Sequence, residues 1–190
     1  MLGSLPRTLN VNGKDYPIET DYRNILEIIT AFGDDELTDQ EKAYVCMMRL
    51  FRDLTVIPKD DFEDVYRAAV AFIECHIHDD KPNPKVVNWE KDEQLIFPAI
   101  NKAAGMEVRS VPYMHWWTFL GYFQSIDQES IWGFILSIRQ KKAKRKKLEK
   151  YEKEFYNANR TLCMVELPQN KKTAEDKLAS IFEELLKEQS

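Results

Sequence analysis

From Thr20 onward the apolar residues recur at spacings of three and four, and this helical period limits what the chain can fold into more than any single motif does. An apolar stripe at that spacing must be buried against another, so the expected fold is mainly α, a multi-helix globular bundle. One segment departs from the period. Leu5 to Val11 and Lys14 to Ile18 flank Asn12-Gly13, a dipeptide that tolerates the positive φ angles of a tight type I′ turn, and this predicts an N-terminal β-hairpin over about residues 4–19. Two strands alone are marginal in water, so the hairpin must pack on the helices or pair with another chain.

The first predicted helix carries Tyr22, Ile25, Leu26, Ile28, Ile29 and Phe32 on one side and stops at Gly33. Thr38-Asp39-Gln40-Glu41 has capping-box spacing and opens a second helix, whose expected core face is Tyr44, Met47, Leu50, Phe51 and Leu54. Pro58 ends the connection. Asp60 and Glu63 open a third helix, expected to bury Phe62, Val65, Tyr66, Ala69, Val70, Ile73 and Ile77. Pro82 and Pro84 make Asp79 to Val87 the longest interior loop. A fourth helix is expected from an Asn88 cap to near Gly105, kinked or split by Pro98, which lacks the N–H and crowds the preceding turn. Pro112 reads as the first turn of a helix from Tyr113 to Ile126 that is apolar nearly all round and therefore central or covered by a partner. The next helix begins about Glu129, turns Ile131, Phe134, Ile135 and Ile138 inward and runs into a basic stretch; Leu148, Tyr151 and Phe155 keep the spacing beyond it. After Leu167-Pro168, a last amphipathic helix puts Ala174, Leu178, Ile181, Phe182 and Leu185 on one face. Residues 1–170 thus read as one helical domain with the N-terminal hairpin, and 171–190 as a C-terminal amphipathic helix, docked or partner-binding.

A chain of 190 residues, 44% hydrophobic and 12% aromatic, can build a packed core without a metal or disulfide. Cys46, Cys75 and Cys163 show no CxxC spacing and suit buried thiols in a reducing compartment. The N-terminus carries no apolar signal core, and no segment reaches the roughly 18 apolar residues of a membrane span. An intracellular protein without a membrane anchor is expected.

The candidates for chemistry are few. Cys75-His76-Ile77-His78-Asp79-Asp80 is the one cluster with metal-ligand types, but structural zinc sites combine two separated ligand pairs, and His76 and His78 also suit the C-terminus of the third helix. Asp34-Asp35-Glu36 and Asp60-Asp61 flank predicted helix starts, where negative charge complements the helix dipole. Ser110 with His115 and Cys75 with His78 lack any nucleophile-turn motif, and neither a P-loop nor GxGxxG occurs. No catalytic residue, metal or cofactor is expected, and the chain reads as a binding protein and not an enzyme.

Two surfaces remain for partners. Trp116 and Trp117 point about 100° apart on a helix, so they cannot form one stacking platform; core packing is the plain reading, with one of them a hot spot as the alternative. From Arg139 to Lys150 there are eight basic residues (Arg139, Lys141, Lys142, Lys144, Arg145, Lys146, Lys147 and Lys150) against Glu149, on a chain whose net charge is −5. If helical, this run has no apolar face for a bilayer. It could grip phosphates, dock an acidic protein, including another copy of this acidic chain, or simply be solvated.

The stretches WEKDEQLIFPAINKAAGMEV, VPYMHWWTFLGYF and IRQKKAKRKKLEKYEKEFY, together with the hairpin and Asp21-Tyr22-Arg23, resemble a small family encoded in the tail-morphogenesis clusters of siphophages and Gram-positive prophages. Its members are similar in gene position to tail-assembly chaperones, which coat the tape-measure protein and bring major tail protein to it. The resemblance implies a protein of the host cytoplasm with those two proteins as partners, a homo-oligomer as a further candidate, and no enzyme activity or cofactor. Two alternatives stand beside it: a permanent tail component of the virion, and a nucleic-acid-binding protein using residues 139–150.

Overall fold

The computed structural model describes residues 3–75 and 85–165. Ile77, His76, His78, the loop through Pro84, the break at Leu167-Pro168 and the amphipathic stretch 171–190 lie outside the described residues.

Strands β1 (Thr8–Val11) and β2 (Lys14–Pro17) pair antiparallel, with Val11 opposite Lys14. Asn12 and Gly13 supply the turn with φ of 52° and 78°, as the dipeptide predicts. The hairpin packs on the helices: Leu9, Val11 and Tyr16 are buried, and β1 lies against α3 (Phe62–Ile73). Asp61 at the head of α3 fastens it, accepting from Asn12 Nδ2 at 2.8 Å and from the Tyr16 hydroxyl at 3.1 Å.

Helix α1 (Tyr22–Phe32) begins at the Asp21 cap and ends at Gly33. Helix α2 (Asp39–Leu50) carries the expected capping box, Thr38 and Glu41 each satisfying the other's backbone N–H. Its buried face is Cys46, Met47 and Leu50; Tyr44, expected in the core, is 62% exposed, one step round the helix from the face that meets α1 and α3. Phe62 is likewise an exposed position at the first turn of α3, while Val65, Ala69 and Ile73 are buried as the period predicts, Tyr66 and Val70 are half-buried, and Phe72, not expected on that face, is buried as well.

Helix α4 (Glu93–Ala104) starts later than expected, because Asn88 and Asp92 bond to each other across a closed turn before it. It runs unbroken through Pro98 and ends on Gly105 in the left-handed conformation, φ 69°, which glycine adopts without a Cβ penalty. Helix α5 is Trp116–Gln124, so Pro112 lies outside it. Residues 113–115 are instead extended against the head of α1: Tyr22 N donates to Met114 O at 3.0 Å and Trp116 N to Thr20 O at 2.7 Å. With those groups committed, His115 becomes the helix cap, its Nδ1 accepting from Trp117 N at 3.1 Å.

The chain itself covers much of the apolar circumference of α5, burying Trp116 and Phe119 and half-burying Trp117, Leu120, Tyr122 and Phe123. Phe119 stacks on Tyr22 with centroids 4.1 Å apart, Phe123 lies 5.0 Å from Trp89, and Trp117 lies on Phe72. Helix α6 (Ile131–Ala143) buries Trp132, Ile135 and Ile138; Ile131, expected inward, is 67% exposed at its first position. Helices α7 (Lys150–Ala158) and α8 (Arg160–Cys163) follow. On α7, Tyr151 and Phe155 pack on Phe134 while Glu152 and Tyr156 meet Lys141 and Lys142, so α7 lies across α6.

Candidate partner-binding surface

The basic run is not one surface. Helix α6 ends at Ala143, Arg145 takes a left-handed φ of 54°, and a new helix starts at Lys150. Arg139 does not belong to the partner surface expected of the run: it is 2% exposed and part of the core. Its guanidinium makes a two-pronged pair with buried Asp92, at 2.5 and 2.8 Å, and donates also to the carbonyls of Val86 at 3.0 Å, Leu162 at 2.7 Å and Met164 at 3.1 Å. Lys91 donates to the carbonyls of Thr161 and Met164 beside it. Two cations thus gather the carbonyls at the end of α8, where a helix carries partial negative charge, and Asp92 balances them.

The next two basic residues are also spoken for. Lys141 donates to the Glu152 carboxylate at 2.6 Å and holds that buried acid below the usual carboxylate range. The Lys142 ammonium lies 4.0 Å from the centre of the Tyr156 ring, and together with Arg160 it lowers the phenol. Lys144, Arg145, Lys146, Lys147 and Lys150 are exposed and form no ion pair with the described residues; the first four lie in the turn and Lys150 opens α7, so the free cationic surface is centred on a turn and not on one continuous helix.

Trp116 and Trp117 are structural. Their indole N–H groups donate to Ile73 O at 2.8 Å and Phe72 O at 3.0 Å, satisfying carbonyls at the C-terminus of α3; Trp116 is buried and Trp117 half-buried. His115 has both ring nitrogens engaged, Nε2–H donating to Pro6 O at 2.9 Å, and burial pushes its pKa below the ordinary 6.5. Ser110 donates to Glu107 O. Burial pushes the Cys46 thiol up to about 12 and the Cys75 thiol up to about 11, and raises Cys163 as well, so none is poised as a nucleophile. Among the described residues no three His, Cys, Asp or Glu gather as a metal site, and no helix is long and apolar enough to cross a membrane.

What the sequence did not mark is a groove of about 740 Å³ between α1, α2 and the start of α4. Leu26, Leu37, Val45, Trp89 and Phe97 line it with apolar surface, and Arg23, Glu27, Arg49, Glu93 and Arg109 stand around it with both signs of charge. Arg23 is held in place by Asp21 at 3.1 Å and by Val111 O at 2.8 Å; Glu107, which accepts from Arg109 and Asn101, is lowered to about 2. The lining comes from α1, α2, α4 and the segments between them, residues far apart in sequence, so no local motif announces the groove. The half-burial of Leu26, Leu37 and Val45 is the structural signal.

The sequence profile of the family described as Bacteriophage Gp15 protein matches residues 1–164. No curated protein and no solved structure matches the chain.

Proposed function

Because the chain belongs to the bacteriophage Gp15 protein family, we propose that it is a non-enzymatic tail-morphogenesis protein of the infected cell, a chaperone that holds the tape-measure or major tail protein while the tail tube grows. The observation that carries this reading is the groove between α1, α2 and α4. A tape-measure protein is a long helical chain whose apolar stripes aggregate when exposed. An apolar floor rimmed by charges of both signs takes one such stripe at i, i+3, i+4 spacing while its polar flanks stay solvated. The exposed Tyr44 and Met48, four residues apart on α2, extend the apolar surface on that helix.

Co-expression with the tape-measure protein of the same phage tests the reading. The tape measure is expected to become soluble and to co-purify; unchanged solubility with no co-purification contradicts it. Mass spectrometry of purified virions separates a chaperone, absent from the particle, from a permanent tail component, present in stoichiometric amount.

A further inference from the structure

We propose that the cationic α6–α7 turn of one copy seats in an acidic groove of a second copy, and that the exchange is reciprocal. The groove, of about 800 Å³, lies between the end of α1 and residues 85–90. Its floor is half-buried and apolar: Ile29, Phe32, Val86, Val87 and Trp89. Its rim carries exposed carboxylates from Asp34, Asp35, Glu36 and Glu90. Among the described residues its one cation is Lys85, which is already committed, its Nζ donating to Gly33 O at 2.7 Å. Such a surface selects a short, strongly basic segment with some apolar content.

This chain presents that segment. Lys144, Arg145, Lys146 and Lys147 are consecutive and exposed, Arg145 turns the backbone through a positive φ, and half-buried Leu148 follows. Four cations therefore face four carboxylates. The turn cannot fold back into its own groove, because Lys141 on Glu152 and Lys142 on Tyr156 pin both of its stems. A second copy is the occupant that charge complementarity favours.

The position of Lys85 makes the exchange reciprocal. It lines the acidic groove and also a cavity at the end of α6, together with Lys142 and Ala143, the residues immediately before the turn, so groove and turn flank one side of the molecule. Two copies facing each other on that side satisfy both contacts about a two-fold axis, which closes the assembly at a dimer. Exposed ion pairs are individually weak and screened by salt, so the dimer is salt-sensitive. The assignment does not depend on which tail protein the chain binds.

Light scattering on size-exclusion eluates, with sedimentation over a range of concentrations, tests it on the full chain. Wild type is expected to dimerise at low salt, with a Kd that weakens at least about ten-fold as salt rises from about 50 to about 500 mM. The turn-reversed variant K144E/R145E/K146E/K147E and the groove-reversed variant D34K/D35K/E36K are each expected to be monomeric. Their equimolar mixture is expected to dimerise, because acidic turn then meets basic groove and basic turn meets acidic groove. Circular dichroism melts verify folding, and glutamine replaces the reversed charge in any variant that melts early. A wild type that stays monomeric at low salt, a turn-reversed variant that still dimerises, or a mixture that stays monomeric overturns the proposal. A monomer that still solubilises the tape measure would leave the proposed function standing, and a dimer without that effect would remove only the latter.

Discussion

Arg139 and Lys146 stand in one basic run and have opposite fates. Arg139 is sealed against Asp92, whereas Lys146 is exposed, so replacement of each should differ in cost by several-fold. Arg139→Leu strands a buried carboxylate and is expected to cost about 3–5 kcal/mol in urea unfolding, while Lys146→Glu should stay within about 0.5 kcal/mol. Adding Asp92→Leu to Arg139→Leu should recover part of the loss, since removing both charges leaves neither uncompensated. The fate of Arg139 was partly legible: it falls on the Trp132, Ile135 spacing and so on the inward face of α6, but its charged neighbours concealed that. His115 sets an acid response. Its folded pKa lies below 6.5, so the unfolded chain takes up a proton first and stability falls as pH drops below 6.5. The carboxylates lowered by hydrogen bonds, Glu41 and Glu152 among them, add their loss only as pH passes below 4.5. In His115→Asn, which keeps a capping oxygen, the decline between 6.5 and 4.5 should be smaller than in wild type when unfolding is followed across pH.

At the scale of elements, features fixed by neighbouring residues were the readable ones. Asn12-Gly13 makes its own turn, and Thr38 with Glu41 makes its own cap, so both stand where the sequence puts them. Pro112 misled because the backbone after it is claimed by Asp21 and Tyr22, partners far away in the chain that no local pattern reveals. Gly133 is a similar case. It sits in the first turn of α6, where the Ser130 hydroxyl accepts from its N–H at 3.0 Å, and a Cβ there would stand 2.4 Å from Asp127 O and 2.8 Å from Gln128 Cα. The loop before α6 therefore closes only over glycine. Gly133→Ala is expected to destabilise by about 1–3 kcal/mol, although alanine is the better helix former in isolation. A thermal melt that rises would show that the loop relaxes freely.

For the whole molecule, the helical class was legible because every stripe of the 3.6-residue period needs a partner stripe, and a bundle supplies it. The surfaces were not. Both grooves are assembled from residues that lie far apart in sequence, and the cationic turn exists because the chain reverses at Arg145 where charge counting sees only a run. The central claim is that the groove between α1, α2 and α4 holds a helical tail protein. Its most direct test is co-purification of the tape-measure protein with wild type and with L37E/V45E, which puts two carboxylates on the apolar floor. If circular dichroism shows the variant folded, the account expects wild type to retain the tape measure in soluble form and the variant to lose at least about nine-tenths of it, equivalent to about 1.4 kcal/mol of binding. Equal recovery with both proteins would contradict it.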